Sequence, residues 1–359
     1  MIGAGVVGLS VAWQLLQQGH EVALIDPDLE AGQADGAGSS AALGLLMAQI
    51  YRRSSGRGWR LRQQSLALWQ QWRHTLAERG QRIPFRPGLL QLAANHETLQ
   101  AQQRLVEQRQ KQGLPLRLLQ QQDLEALQPA LPHGVIGGVL SPADGQLDPI
   151  AAMQALLQDS QRLGLHCWRT GAEHLERLSG TEARWRVQGR DGSSLCCQWL
   201  MLSAGLGSPA LLEPLGHARP QSPVLGQALE LELPPGCPSA EQWPGSLSWD
   251  GVNLVPRPQR RLWLGATLEP GRSQAAAEAL ATLRNLGGAA PDWLQQVTVI
   301  RQWQGLRARP TDRPAPLLEQ LEPGLLLASG HYRNGVLLAP ASAAWVAEQI
   351  AAEPPAAQL

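Results

Sequence analysis

Gly3-Ala4-Gly5-Val6-Val7-Gly8 opens the chain and decides its fold. An apolar run to Gln18 follows these glycines, and a second apolar stretch, Glu21 to Ile25, ends on Asp26. Glycines at this spacing, a run of helix length and a terminal acid are the parts of a βαβ unit that binds a dinucleotide. The sequence therefore predicts an α/β fold that begins with such a unit.

Each residue of this unit has a physical role. The first glycine permits the tight turn from strand to helix, the second lets the backbone approach a pyrophosphate, and the third lets the helix pack on its strand. The N-terminus of the helix then faces the phosphate charge. The acid accepts hydrogen bonds from ribose hydroxyls and repels a 2′-phosphate, which argues against NADP. The predicted cofactor contacts here are Gly3, Gly5, Val6, Val7, Gly8 and Asp26.

The first strand of the unit is short in this sequence. Such a strand needs about five apolar residues before its glycines, and only Met1 and Ile2 precede them. We therefore expect the sequence to begin inside that strand. About five apolar residues added before Met1 would then improve retention of the cofactor.

Composition limits the classes of function. A chain of 359 residues with 43% hydrophobic content favours two lobes around one ligand cleft. The 30 basic and 30 acidic residues leave no net charge, which argues against a nucleic-acid partner. No stretch approaches about 20 uncharged apolar residues, so we expect no membrane span and a cytoplasmic protein. No metal-binding spacing is present, and buried free thiols are predicted at Cys167, Cys196, Cys197 and Cys237.

Hydrophobic periodicity and turn residues predict the remaining elements. The predicted helices are Trp59 to Glu78, two helices within Glu97 to Gln128, one that starts after the N-cap Asp148 and stops at Gly164, Ser273 to Leu286, and Asn334 to Ile350. The predicted strands are Arg86 to Leu92, Leu195 to Leu202, Val224 to Leu233, a hairpin of Val252 to Val255 with Leu262 to Gly265, and Val297 to Trp303. Asp144 to Pro149 is predicted to be a loop.

Several of these segments resemble the D-amino-acid oxidase family of flavoproteins, and within it the bacterial glycine oxidase subfamily of thiamine biosynthesis. The most specific segment is Gly330-His-Tyr-Arg-Asn-Gly-Val-Leu-Leu-Ala-Pro340. The other segments are Gly3 to Asp26, Ser39 to Leu46, Asp144 to Pro149, Ser203 to Ser208, Val252 to Leu268 and Gly305 to Asp312. Together they extend over nearly the whole sequence.

The resemblance implies FAD and a two-part architecture. It implies a discontinuous, Rossmann-like FAD-binding domain of the glutathione-reductase type, formed by residues 1–85, 145–215 and 300–359. It also implies an α+β substrate-binding domain on a mixed antiparallel sheet, formed by residues 86–144 and 216–299. The further cofactor contacts that it implies are Ser39, Ser40, Gly44, Leu45, Ala204, Gly205, Arg333, Asn334, Gly335 and Val336.

The resemblance also assigns roles around the substrate. A flavin that oxidises an amine accepts a hydride at N5, so the protein mainly positions the substrate. Arg307 matches the family's carboxylate-binding arginine, and Arg333 matches a second arginine beside ligand and flavin. The helix after Arg333 would stabilise negative charge on the reduced flavin through its N-terminus. Tyr332 lies in the same segment and is a further candidate, whereas His331 is more simply a structural histidine.

Three positions depart from the subfamily pattern. Asn253 replaces a tyrosine that grips the carboxylate, Gly251 replaces a larger side chain, and Leu268 replaces a methionine beside the ligand. These changes predict a roomier pocket, so glycine itself becomes doubtful as the substrate. The predicted substrate-site residues are Arg307, Arg333, Asn253, Leu268 and Tyr332.

The first hypothesis is an FAD-dependent oxidase that deaminates a small amine or amino acid and passes the electrons to O2, giving H2O2. One alternative is a D-amino-acid dehydrogenase with another acceptor, and another is a flavin-binding protein without turnover. An NAD-dependent dehydrogenase would leave the C-terminal segments unexplained. Sarcosine-oxidase-like relatives anchor their flavin through a cysteine in the C-terminal part, but no cysteine follows Cys237, so the comparison implies noncovalent FAD. Those relatives also activate oxygen with a lysine near the flavin, whereas Lys111, the only lysine, lies outside every ligand-facing segment. The resemblance allows a homo-oligomer.

Overall fold

The computed structural model describes residues 1–29, 36–179, 183–270 and 276–352. Its helices are α1 (Val6–Gln17), α2 (Arg57–Glu78), α3 (His96–Lys111), α4 (Gln121–Glu125), α5 (Pro149–Arg162), α6 (Ser208–Leu212), α7 (Ala276–Asn285), α8 (Asp292–Gln295) and α9 (Gly335–Ala352). Short 3-10 turns lie at Gly205–Gly207, Glu213–Leu215, Ala240–Gln242 and Leu286–Gly288.

Many of the strands are short. They are β1 (Ala23–Ile25), β2 (Gly36–Ala37), β3 (Leu45–Leu46), β4 (Phe85–Ala93), β5 (Arg117–Gln120), β6 (Gly137–Leu147), β7 (His166–Trp168), β8 (Ala172–Arg177), β9 (Trp185–Gly189), β10 (Ser194–Cys197), β11 (Leu200–Leu202), β12 (Gln221–Glu232), β13 (Ser246–Trp249), β14 (Val252–Arg257), β15 (Arg261–Gly265), β16 (Glu269–Pro270), β17 (Thr298–Pro310), β18 (Leu317–Glu322) and β19 (Leu325–Ser329).

The opening residues lie between two parallel strands. Ile2 forms parallel bridges to Ile25 of β1 and to Leu202 of β11. Through Ile2 the order of this sheet is β7-β1-Ile2-β11-β19-β18, with β18 antiparallel to β19. The carboxyl ends of these parallel strands meet at one edge, which is where such sheets bind dinucleotides.

Layers cover both faces of this sheet. Because side chains alternate along a strand, Met201 of β11 packs with α1, α2, α5 and α9. Its neighbours Leu200 and Leu202 face the other way and pack with Trp185 and Val187 of β9. Strands β8, β9 and β10 form the antiparallel sheet on that second face. The apolar strands are therefore buried on both sides.

An eleven-stranded sheet forms the second part of the described chain. Its order is β2-β17-β12-β15-β14-β13-β4-β6-β3, with β16 paired to β12 and β5 paired to β6. Strand β13 is parallel to β4 and β17 is parallel to β2, whereas the other pairings are antiparallel. This mixed sheet beside the parallel one confirms the predicted fold class.

Most predicted elements are confirmed to within a few residues. Asp148 caps α5, and its side chain accepts the N–H of Ala151 at 3.0 Å. The predicted hairpin is the antiparallel pair β14 and β15. The helix expected at Ser273 begins at Ala276, and its first predicted residues lie outside the described part of the chain.

Four local predictions are wrong. Asp144 to Pro149 is not a loop, because β6 continues to Leu147 and pairs with β3 and β4. The second helix within Glu97 to Gln128 is replaced by β5, which pairs with β6, and by the short α4. The strand predicted at Leu195 to Leu202 is two strands in different sheets. The cysteines are exposed or half-buried rather than buried, and two of them, Cys196 and Cys197, lie on β10 of the outer antiparallel sheet.

The proposed division into two domains stays a prediction. Three of its boundaries, 85/86, 144/145 and 299/300, lie within β4, β6 and β17. Helix α9 is long and apolar enough to cross a membrane by length and composition, yet 56% of that stretch is buried inside the protein. It contacts α1 and α2, as expected of a core helix.

A tryptophan cluster joins the helices of the first layer. The rings of Trp13 and Trp72 are 4.8 Å apart and meet edge to face, and Trp69 lies 5.8 Å from Trp72. The indole N–H of Trp13 donates to Asp159 of α5 at 2.8 Å, and Arg79 donates to the same oxygen at 2.8 Å. Asp159 therefore links α1, α5 and the end of α2 within the core.

We predict that Asp159→Ala destabilises the protein by about 2–3 kcal/mol, because a buried indole N–H loses its acceptor. The measurement is the free energy of unfolding in urea. Glu176→Ala, which breaks an ion pair between half-exposed side chains, is the control and should leave the unfolding midpoint unchanged. Equal effects of the two substitutions would contradict the role of Asp159.

Candidate active site

One cavity of about 2060 Å³ connects the two sheets. Small-molecule sites usually occupy about 300–1,000 Å³, so this cavity has room for a dinucleotide together with a small substrate. Its lining includes the opening glycines and the segment from Gly330 to Val336. The two ends of the sequence therefore meet at the same site.

The opening turn has no room for side chains. Gly3 has a φ of +104°, and a Cβ there would lie 2.7 Å from the carbonyl oxygen of Ser203. A Cβ on Gly8 would lie 1.9 Å from the carbonyl oxygen of Gly3. Gly5 precedes α1, and the N–H of Val6 donates to Ser39 Oγ at 3.1 Å. The helix N-terminus is thus held against the strand edge, which fits a bound pyrophosphate.

Asp26 is positioned by two backbone amides. Its Oδ2 accepts the N–H of Ala4 at 2.7 Å, and its Oδ1 accepts the N–H of Asp28 at 2.9 Å. A carboxylate has about four acceptor sites, so it can still receive ribose hydroxyls. The side chain lines the cavity directly after β1, as the sequence predicts.

Most predicted site residues line this single cavity. Gly8 and Ser40 do not: Gly8 packs under the turn, and Ser40 Oγ donates to Ala37 O at 3.2 Å. The predicted residues that do line it are Gly3, Gly5, Val6, Val7, Asp26, Ser39, Gly44, Leu45, Ala204, Gly205, Asn253, Leu268, Arg307, Tyr332, Arg333, Asn334, Gly335 and Val336.

Arg307 lies on β17 and is half-buried in the cavity wall. Its Nη1 donates to the carbonyl oxygen of Leu225 at 3.2 Å and to that of Thr267 at 3.1 Å. Burial lowers the pKa of Arg307, and the positive charge of Arg333 lowers it further. Two arginines that repel each other across a cavity favour an anion between them.

The N-terminus of α9 lies beside this pair and holds an arginine that the sequence analysis missed. Arg62 of α2 donates from Nη2 to Asn334 Oδ1 at 2.9 Å and from Nη1 to Met47 O at 3.0 Å. Burial lowers its pKa. A cation at a helix N-terminus is unfavourable unless an anion is bound there. The sequence offered one signal for this role, because Arg62 is a charged residue among the apolar positions of the helix predicted from Trp59 to Glu78.

The loop of residues 47–53 carries Tyr51 and Arg52 into the cavity wall, whereas Arg53 is not part of the lining. Asp144 accepts the N–H groups of the residues at 48, 49 and 50 at 2.8 to 2.9 Å. Arg109 donates to carbonyl oxygens of the same loop from the other side. Both side chains are fully buried, so the loop has a defined shape.

Three other candidate residues differ in exposure. Asn253 of β14 is buried, whereas Leu268 is 48% exposed and presents an apolar surface. Tyr332 has a φ of +55°, which is unusual for a residue with a side chain. Its N–H donates to Ala308 O at 3.1 Å, so the segment after β19 is tied to β17. Gly251, in the turn before β14, also lines the cavity.

His331 is a structural histidine. Its ring nitrogen Nε2 lies 2.8 Å from Ser342 Oγ, and that hydroxyl donates to Leu338 O at 2.9 Å. Since the hydroxyl proton is used, Nε2 carries the hydrogen and donates. Burial lowers the pKa of His331 to about 3, with a contribution from the charge of Arg57. The imidazole is therefore neutral at neutral pH and holds the turn before α9.

A dinucleotide cradle that shares one cleft with a substrate cavity is typical of nucleotide-dependent oxidoreductases. Residues 1–349 match the family described as FAD dependent oxidoreductase, and the chain belongs to that family. FAD is its cofactor, and the predicted family resemblance is confirmed. The glycine turn, Asp26 and the N-terminus of α9 fit this cofactor, because they offer amides and one acceptor without side-chain obstruction.

Several of the relatives are named glycine oxidases. The chain is 27% identical to glycine oxidase of Geobacillus kaustophilus over 98% of this chain and 92% of that protein. It is 30% identical to the bifunctional protein ThiO/ThiG of a Nostoc species, over 98% of this chain but 52% of that protein. The crystal structure of the Geobacillus kaustophilus glycine oxidase superposes with a TM-score of 0.86 at 25% identity, covering 98% and 94% of the two chains.

We predict that Asp26→Ala weakens FAD binding about 10- to 100-fold, because a charged hydrogen bond contributes about 1.5–3 kcal/mol. The measurement is the Kd of FAD for the apoprotein. Asp28→Ala is the matched control, since Asp28 contacts Asp26 only through its backbone N–H and its side chain is exposed. Unchanged FAD affinity in the Asp26 variant would contradict the ribose assignment.

His331 predicts a pH dependence of stability. The unfolded chain takes up a proton at His331 below about pH 6.5, whereas the folded chain does so only near pH 3. Stability is therefore lost as pH falls through this range, by about 1.4 kcal/mol per unit. His331→Gln should flatten the pH profile of the unfolding free energy between pH 6 and about 4. The same substitution at exposed His74 should leave the slope unchanged.

Proposed function

We propose that this protein oxidises a small amine or α-amino acid to an imine. Bound FAD supplies the two-electron acceptor that this reaction needs. The amine carbon and nitrogen together lose two electrons and two protons, which reduce O2 to H2O2, and water then converts the imine to a carbonyl compound and ammonia or an amine. The family membership and the glycine oxidase names of the relatives support this reaction class.

The observation that carries the proposal is the orientation of Arg307. Its Nη1 is used by two backbone carbonyls, and among the described residues Nε and Nη2 have no hydrogen-bond acceptor. One edge of the guanidinium is therefore available, with two parallel donors that match a carboxylate. Arg333 adds a second positive charge to the same cavity.

The cavity wall supports a substrate larger than glycine. Gly251 has no side chain, Asn253 is shorter than a tyrosine, and Leu268 presents 48% of its surface. An apolar surface beside a carboxylate-binding arginine suits an amino acid with a small apolar substituent on carbon or nitrogen. Sarcosine and small D-amino acids are therefore included with glycine in the proposed range.

A substrate panel under anaerobic conditions tests the function. Glycine, sarcosine and D-alanine are added to the FAD-loaded protein, and loss of the absorption band at about 450 nm reports reduction. Air is then admitted and H2O2 is measured. Bleaching followed by peroxide supports the oxidase. Bleaching without peroxide supports a dehydrogenase with another acceptor, and no bleaching by any of these amines contradicts the proposal.

We predict that Arg307→Ala lowers kcat/KM for a carboxylate substrate about 30- to 5,000-fold, because a desolvated charged pair contributes about 2–5 kcal/mol. The loss should appear mainly in KM. Arg301→Ala on the same strand is the control, since its side chain is half exposed and pairs with Glu230 at 3.5 Å. Equal kinetics for the Arg307 variant and its parent would remove Arg307 from the substrate site.

A further inference from the structure

Gly226 occupies an unusual position for a glycine. It lies in the interior of β12, where glycine weakens a strand and frequently marks a close approach by another group. Its φ is not in the left-handed region, unlike that of Gly216 at the end of the preceding turn. The backbone conformation at Gly226 therefore permits any residue, and the reason for glycine must be the space above its Cα.

That space is filled by the guanidinium of Arg307. A Cβ on Gly226 would lie 2.1 Å from Nη2, 2.3 Å from Cζ and 2.3 Å from Nη1 of Arg307. Because both terminal nitrogens are as close as Cζ or closer, the missing Cβ would overlap the Nη1 and Nη2 end of the guanidinium. The strand backbone at Gly226 is thus in direct contact with the guanidinium.

Gly305, the glycine paired with Gly226 in the sheet, has different neighbours, so the contact with Arg307 is particular to Gly226. Gly305 of β17 is directly opposite Gly226 in the register. A Cβ on Gly305 would instead meet Ala41 Cβ at 2.4 Å and Ala37 O at 2.9 Å, so that glycine accommodates the segment that carries β2. At Gly226 the nearest atoms all belong to Arg307.

A hydrogen-bond network holds Thr267, whose carbonyl oxygen is one of the two contacts of Arg307. The carbonyl oxygen of Thr267 accepts Nη1, and the side chain of Thr267 is held on both sides. Its Oγ1 accepts the N–H of Gln227 at 2.8 Å and donates to Glu269 Oε1 at 2.6 Å. The Nε2 of Gln227 donates to the same carboxylate at 2.9 Å. The residue after Gly226 therefore anchors the segment that orients Arg307.

We propose that Gly226 is a positioning residue for substrate recognition, because its missing side chain leaves room for the guanidinium of Arg307 against β12. In that position Nη1 reaches its two carbonyl oxygens and leaves Nε and Nη2 for a substrate carboxylate. This inference rests on the proposed function of Arg307 as the carboxylate-binding group. Any side chain at Gly226 displaces the guanidinium from the two carbonyls and turns the free edge away from the substrate carboxylate.

The first test compares Gly226→Ala with Gly58→Ala in the FAD-loaded protein. A Cβ on Gly58 would meet its nearest atom, the hydroxyl oxygen of Tyr51, at 3.7 Å. This is ordinary contact that leaves the cavity wall in place, so the variant controls for the substitution itself. We expect Gly226→Ala to raise the KM of the best amino-acid substrate and the Kd of acetate about 10- to 100-fold. Acetate binding is followed by the change in the flavin spectrum. FAD content and Tm should match those of the parent.

A double-mutant cycle decides between positioning and general damage. In the Arg307→Ala background the methyl group has no guanidinium to displace, so Gly226→Ala should add less than about twofold to the loss. Additive losses would overturn the inference while leaving Arg307 in its role. If Arg307→Ala itself has no effect on acetate or substrate, the proposed function fails instead.

Thr267→Val gives an independent route if Gly226→Ala does not fold. Valine keeps the shape but removes the hydroxyl that joins Gln227 and Glu269, so the Thr267 carbonyl is held less firmly. We expect a smaller rise in the Kd of acetate, which also disappears in the Arg307→Ala background. An acetate Kd equal to that of the parent protein would contradict the positioning network.

Discussion

The contact between the N-terminus of α1 and the opening strand is the constraint on which the rest of the structure depends. Gly3 and Gly8 have no side chains, so the helix lies very close to the strand. A Cβ on Gly8 would be only 1.9 Å from the carbonyl oxygen of Gly3. Ile2 is paired on both sides, so this turn lies in the middle of the parallel sheet. The dinucleotide end of the cavity is fixed there, and every other group of the site is placed relative to it.

The substrate end of the cavity carries several positive charges, with Glu269 as a nearby carboxylate. The charge of Arg333 lowers the pKa of Arg307, Arg62 is buried beside the N-terminus of α9, and the helix dipole has the same sign. Such an arrangement is stabilised when anions share the site, which fits the proposed carboxylate substrate and a reduced flavin.

Sequence patterns predicted the elements whose signals are local. The glycine turn, the Asp148 cap and the hairpin of β14 and β15 were identified, because capping and turn chemistry act over a few residues. Strand β5 was predicted as helix, because it lies within a glutamine-rich stretch and becomes a strand only through pairing with β6. The continuation of β6 through Asp144 likewise depends on β3 and β4.

The sequence by itself determined the family, the cofactor and the candidate substrate arginine, because these are carried by short motifs with fixed spacing. Only the tertiary structure decided what surrounds that arginine. Gly226, Thr267 and Arg62 lie far from Arg307 in sequence and share no motif with it. These residues act through close contacts between neighbouring strands and helices. Such contacts exist only after the sheets have formed.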